Sequence, residues 1–272
     1  MFRRYALLAG LALAALAQAV PARAAEVDPL AVMEARTFAA PNGTSLLYRL
    51  LKPADYDAQR AYPLVLVLHG SGGRGNDNRQ QIADQPIACA KLANEPLRSA
   101  YPCFVVAPQC PKEGSWSRFR GSRAGLTPQM EAVRDLLGAL RREFHIDAQR
   151  LYVTGLSMGG FGTCALIAHE PFTFAAAVPV CGGGSPDLMM DTVTVPMRVY
   201  HGTDDGSVPV ASSRNMVSTL NGRGGSLYYK EYPKTGHDSW LKAYAEPDLW
   251  PWLFAQRRQP ACERTVTASS LK

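Results

Sequence analysis

The sequence predicts an α/β fold: a mostly parallel central sheet of about eight strands, flanked by helices and without a large cap domain. Three observations predict it. Apolar runs such as Pro63–Leu68 and Cys103–Ala107 are continuous rather than alternating, as strands buried on both faces read. Helix-length stretches with apolar residues at 3.6-residue spacing alternate with those runs. No repeat recurs along the 272 residues, which excludes solenoids and propellers.

Taken in order, two strands are expected at Arg36–Ala40 and Thr44–Lys52, parted by the turn Pro41-Asn42-Gly43. Pro63–Leu68 follows and ends in His69-Gly70. Residues 80–94 are expected as a helix, then Cys103–Ala107 as a strand ending at Pro108. Thr127-Pro128 is a capping residue followed by a proline at the first helical position. The helix it opens carries Met130, Val133, Leu136, Leu137 and Leu140 on one face and is expected to run to Phe144. Strand Arg150–Thr154, helix Met158–His169 and strands Phe174–Val180, Met197–Tyr200 and Leu227–Tyr232 complete the alternation, with helices at 210–221 and 239–256. No linker composition interrupts residues 35–257, so residues 25–257 are expected to form one domain and 258–272 a loose polar tail.

Residues 1–24 read as an export leader. Arg3-Arg4 is a basic head, Tyr5–Ala17 an uncharged Leu/Ala run, and Ala22-Arg23-Ala24 places small residues around a cleavage site. The apolar run is short for a bilayer span, so a periplasmic or secreted protein without stable membrane insertion is expected. The leader removes Arg3, Arg4 and Arg23 and no acid, which takes the net charge from +6 to +3. That charge, without a dense Lys/Arg tract, gives no argument for nucleic acid. Six cysteines lie beyond the leader, Cys89, Cys103, Cys110, Cys164, Cys181 and Cys262, and in an exported chain they are expected to form disulfides. No CxxC or Cys/His cluster suggests a metal, and no cofactor motif is present.

The chemistry concentrates in Gly155-Leu156-Ser157-Met158-Gly159-Gly160, where a strand ends and a helix begins. Gly-x-Ser-x-Gly there is a nucleophile elbow: the glycines permit a tight turn, and the Ser157 hydroxyl stands above the strand ends. The Met158 amide then lies at a helix N-terminus, where it faces a developing oxyanion. A serine nucleophile needs a base and an orienting acid. Of the three histidines after Ser157, His169 lies late in its own helix and His201 closes a strand, and both read as structural. His237, in the loop between the last strand and the last helix, is the expected base. Asp204 and Asp205 both qualify as the acid. The glycine-rich loop His69–Gly75 is expected to supply the second oxyanion amide, from Ser71 with Gly72 next to it. It lacks the Lys-Ser/Thr ending of a phosphate-binding loop. Trp116 and Trp240, with Gly72, are expected at the substrate.

These residues resemble the α/β-hydrolase superfamily. More narrowly, the chain is similar to small exported serine esterases related to dienelactone hydrolases, feruloyl and acetylxylan esterases and polyhydroxybutyrate depolymerases. The resemblance spans about Leu46 to Leu253. It rests on His69-Gly70-Ser71-Gly72, Ala107–Pro111, Gly155–Gly160, Asp205 ahead of Val208-Pro209, and Gly236–Trp240. In such families the acid stands three residues before Val-Pro, which implies Asp205 and a Ser157–His237–Asp205 triad, with Met158 and Ser71 amides at the oxyanion. The resemblance implies a carboxylesterase acting through an acyl-enzyme on short-acyl, aromatic-acyl or polymer-borne esters. A prolyl-oligopeptidase-type peptidase and a non-catalytic binding protein are the competing readings. The fifteen residues Cys181–Val195, where lids are commonly inserted, are too few for a cap domain.

Overall fold

A computed structural model describes residues 26–84, 87–118, 125–189 and 194–258. The expected leader and Cys262 lie outside the described residues.

Eight strands form one sheet: β1 (Glu34–Ala39), β2 (Ser45–Leu51), β3 (Tyr62–Leu68), β4 (Phe104–Pro108), β5 (Ile146–Leu156), β6 (Ala176–Val180), β7 (Met197–Gly202) and β8 (Leu227–Tyr232). The spatial order is β1-β2-β4-β3-β5-β6-β7-β8. β1 and β2 pair antiparallel, as do β2 and β4; from β4 to β8 every pairing is parallel. The helices are α1 (Pro29–Val32), α2 (Gln80–Ala83), α3 (Ile87–Ala93), α4 (Leu97–Ala100), α5 (Pro128–Glu143), α6 (Met158–His169), α7 (Pro186–Met189), α8 (Ala211–Asn221), α9 (Trp240–Ala243) and α10 (Leu249–Ala255).

The period of two along each central strand sorts the core into two layers. Leu64, Leu66 and Leu68 of β3, with Phe104, Val106, Leu151 and Val153, face the layer that holds the apolar stripe of α5, the buried side of α6 and Met216 and Leu220 of α8. Val65, Val105 and Tyr152 face the opposite layer, with Cys89 and Leu92 of α3 and Trp250 and Leu253 of α10. Both faces are covered, which is why the central strands read as unbroken apolar runs. The cap of α5 forms as expected: Thr127 Oγ1 accepts the Met130 amide at 3.2 Å.

Two helices differ from the sequence reading. The expected helix 80–94 is divided into α2 and α3, and 239–256 is divided into α9 and α10 on either side of Pro247. At Pro247 the chain lacks an amide to continue a helix, and the helical conformation of the residue before it is disfavoured. Strand Arg150–Thr154 extends to Ile146–Leu156.

The disulfide expectation is corrected. Cys89, Cys103, Cys110, Cys164 and Cys181 are free and buried. They are divided between the two layers, Cys110 and Cys164 on one side of the sheet and Cys89, Cys103 and Cys181 on the other. Burial pushes each of these thiols up to about 12, so they act as small apolar core residues. Among the described residues, no helix is long and apolar enough to cross a membrane.

The seating of α6 against the sheet leaves no room for a side chain at Gly159, where a Cβ would overlap the Leu68 carbonyl. Gly159→Ala is expected to lose at least about 2 kcal/mol of stability, read as a lower midpoint in urea unfolding. An unchanged midpoint would contradict this packing.

Candidate active site

Ser157 occupies the junction of β5 and α6 with φ +54° and ψ −119°. An L-residue is strained there. The turn holds because both its backbone groups are bonded: the Ser157 amide donates to the Val180 carbonyl at 3.0 Å, and its carbonyl accepts from the Phe161 amide at 3.1 Å. Gly155 is required on the strand side, since a Cβ there would strike the Gly159 carbonyl and come within 2.8 Å of the Leu68 carbonyl oxygen.

His237 comes from the loop between β8 and α9. Its Nε2 lies 2.9 Å from Ser157 Oγ and its Nδ1 lies 2.7 Å from Asp205 Oδ2. The ionised acid accepts only, so Nδ1 carries the proton and Nε2 presents its lone pair to the serine hydroxyl. Trp240 packs edge-on against this imidazole, 5.3 Å between ring centres at 87°. The His237 loop is tied to the β7 loop by the Asp204 amide on the Thr235 carbonyl at 3.0 Å and the Lys234 amide on Thr203 Oγ1 at 3.0 Å.

The two aspartates separate cleanly. The Asp204 carboxylate accepts the Thr203 hydroxyl at 2.7 Å at the surface. The Asp205 side chain has no exposure. Its Oδ1 accepts the Ser207 and Val208 amides at 2.9 and 2.8 Å, and its Oδ2 faces His237. Burial opposes its ionisation, but the hydrogen bonds from His237, Val208 and Ser207 outweigh burial and hold it below the ordinary carboxylate value. Asp205, His237 and Cys181 bring donor atoms within 4.8 Å of one another. Both imidazole nitrogens are already engaged, by Asp205 and Ser157, which leaves His237 no free nitrogen for an ion.

Ser71 opens a short 3₁₀ turn over Ser71–Gly73, and Met158 is the first residue of α6. Neither turn supplies an acceptor to its first amide. Gly72 is exposed on the same loop, against the Asp84 carboxyl. The loop is anchored from below by His69. Its Nδ1 lies 2.5 Å from the Gly70 carbonyl and its Nε2 accepts the Cys110 amide at 3.0 Å. Farther along, Gln109 accepts the Asn78 amide at 2.7 Å, and buried Arg49 donates to the Asn78 carbonyl at 2.7 Å. The sequence reading assigned these residues no role; their signal is a cluster of polar residues inside otherwise apolar strand ends.

Trp116 is a core residue rather than an open cleft wall, and it borders only a small pocket of about 20 Å³ beside Ser117 and Leu188. It is fully buried, its Nε1 donates to the His69 carbonyl at 3.1 Å, and its ring packs edge-on against the His69 imidazole. It braces the loop that carries Ser71. The sequence reading also missed a cavity of about 430 Å³ between α6, the loop after β6 and α8, lined by Phe161, Ala165, Leu188, Met189, Ser212 and Asn215.

With this geometry in hand, likeness to known proteins is informative. Residues 127–195 match the prolyl oligopeptidase family. A solved thermostable esterase is 38% identical and superposes with a TM-score of 0.79, covering 84% of this chain and 64% of that one. The chain thus spans about two thirds of that esterase. A probable carboxylesterase of Oryza sativa subsp. japonica is 24% identical over 66% of this chain and 83% of its own. A poly(3-hydroxyalkanoate) depolymerase C of Paucimonas lemoignei is 38% identical over 44% of this chain and 28% of its own.

The His69 anchor has a measurable pH signature. Burial is the leading cause that brings its pKa down from 6.5 to about 4, opposed by the Gly70 carbonyl. The unfolded chain therefore binds a proton between these values that the folded chain does not. Stability is expected to be full above about pH 6.5 and to fall by about 3 kcal/mol as the pH drops to about 4 on account of this group. Urea unfolding of wild type beside His69→Gln checks it: the variant is expected to lose part of that slope. Identical slopes would contradict the assignment.

Proposed function

We propose that the chain is an α/β-hydrolase of the carboxylic ester hydrolases and cleaves esters through an acyl-enzyme on Ser157. The observation that carries this reading is the unbroken hydrogen-bond chain Asp205–His237–Ser157 on a strained turn. His237 Nε2 takes the hydroxyl proton as Ser157 Oγ bonds to the acyl carbon, and the carbonyl oxygen becomes an oxyanion facing the Met158 and Ser71 amides. Collapse expels the alcohol, which leaves with the proton from His237. Water then repeats the sequence: it gives its proton to His237, attacks the acyl carbon, and the acid departs as the proton returns to Ser157.

The substrate reading follows from access. The short segment between β6 and β7 builds no cap domain, which favours short-acyl, aromatic-acyl or polymer-borne esters over long chains that need a closed tunnel. The cavity beside α6 begins at Phe161, one turn from Ser157, and is the proposed seat for the remainder of such a substrate. Gly72 and Trp240 are proposed at its reacting end. Export through a leader at residues 1–24, leaving residues 25–257 as the catalytic domain, belongs to the same proposal.

A peptidase reading has one specific observation behind it, the match to the prolyl oligopeptidase family. The matched residues 127–195 cover α5, β5, α6 and β6, the nucleophile region that both activities share, and include neither Asp205 nor His237. Residues 25–272, assayed on p-nitrophenyl esters of increasing acyl length and on peptide p-nitroanilides, separate the two. Turnover of acetate to butyrate esters, falling at longer chains and absent on the anilides, is expected. Ser157→Ala is expected to lower kcat/KM by at least about 10⁴-fold without changing the unfolding midpoint. Efficient anilide cleavage, or a Ser157→Ala variant with near-wild-type activity, would overturn the reading.

A further inference from the structure

A second imidazole reaches the buried acid of the relay. His201, at the end of β7, and Asp205 both have side chains with no exposure, and His201 Nε2 lies 3.2 Å from Asp205 Oδ2, the same oxygen that faces His237. His201 Nε2 also lies 2.9 Å from the Val208 carbonyl. Its Nδ1 lies 2.8 Å from Ser213 Oγ, which in turn lies 2.8 Å from the Gly182 carbonyl.

The hydrogen on His201 is fixed by these neighbours. The Val208 carbonyl and the Asp205 carboxylate only accept, so Nε2 must be the protonated nitrogen. Nδ1 faces the Ser213 hydroxyl, whose single hydrogen donates to the Gly182 carbonyl. Burial is the leading influence on this imidazole and favours its neutral form, with the Val208 carbonyl and Asp205 acting the other way. A neutral ring with its hydrogen on Nε2 serves the acceptors at that nitrogen, the Val208 carbonyl and the Asp205 carboxylate.

We propose that His201 is a positioning residue of the relay: its Nε2–H, donated to the Val208 carbonyl at 2.9 Å, lies 3.2 Å from Asp205 Oδ2 and presents its positive end to the side of that oxygen that His237 leaves. The carboxylate accepts three N–H groups, the Ser207 and Val208 amides on Oδ1 and His237 on Oδ2, with the His201 N–H as its close neighbour. A buried anion left with an open lone pair is costly, and an Asp205 free to turn would release the Nδ1–H of His237. His201 also draws charge from the oxygen that polarises His237. The other titratable groups near this pair are the Cys181 thiol after β6 and Glu231, in register with His201 on β8.

This inference rests on the serine-hydrolase reading, and its test separates the two. Wild type, His201→Gln and His201→Asn are compared by the rate at which an organophosphonate labels Ser157 across pH, read by intact mass. The Gln amide reaches the place of Nε2 and restores a donor to Asp205. The Asn amide reaches only the place of Nδ1, meets Ser213, and leaves Asp205 unserved. His201→Gln is expected to label within about threefold of wild type. His201→Asn is expected to label at least about tenfold more slowly on the plateau, with the acid limb of its profile moved to higher pH because the uncompensated carboxylate favours the imidazolium. Gln and Asn variants that label alike, at any rate, would overturn the role of His201. Folded wild type that does not label at all would overturn the serine-hydrolase reading and this inference with it.

Discussion

The close approach of the nucleophile turn to the sheet is the constraint on which the rest depends. Ser157 holds a left-handed backbone that costs on the order of 1–3 kcal/mol. It is kept there because α6 lies directly on the ends of β3 and β6, a distance only glycine permits at positions 155 and 159. That seating holds Ser157 where His237 Nε2 meets its hydroxyl at 2.9 Å. The apolar layers on either face offset the strain by burying the sides of β3, β5 and β6.

Around this turn the fold uses histidines in three different environments. His237 bridges acid and nucleophile at the surface of the site. His201 lies in the core behind the acid. His69 lies beneath the glycine-rich loop, with Trp116 against its ring. Each has its two nitrogens assigned to named partners, and in each the tautomer follows from whether the partner gives or accepts. Asp205 is held by the Ser207 and Val208 amides and by His237, and the loop that bears Ser71 is anchored by His69.

Much of this was legible in the sequence, for a physical reason: strands buried on both sides must be apolar throughout, and a nucleophile elbow must have glycine where backbone meets backbone. Asp205 could be told from Asp204 only by likeness to known families, because both sit in one turn; the structure parts them by burial. Trp116 misled because a tryptophan near a site serves a core as well as a cleft. The six cysteines suggested disulfides because spacing does not report which face of a sheet a side chain takes. His69 and His201 were legible as residues but not as parts of the site, since their partners are backbone carbonyls and amides brought together only by the fold.

The central claim is that this geometry makes Ser157 a nucleophile toward esters. The most direct test is rapid mixing of enzyme with excess p-nitrophenyl acetate, followed by acid quench and mass analysis of the peptide that contains Ser157. A burst of p-nitrophenol close to the enzyme concentration, with one acetyl group on Ser157, is the result this account predicts. Linear release with no acyl group on that peptide, while the ester is still being hydrolysed, would contradict it.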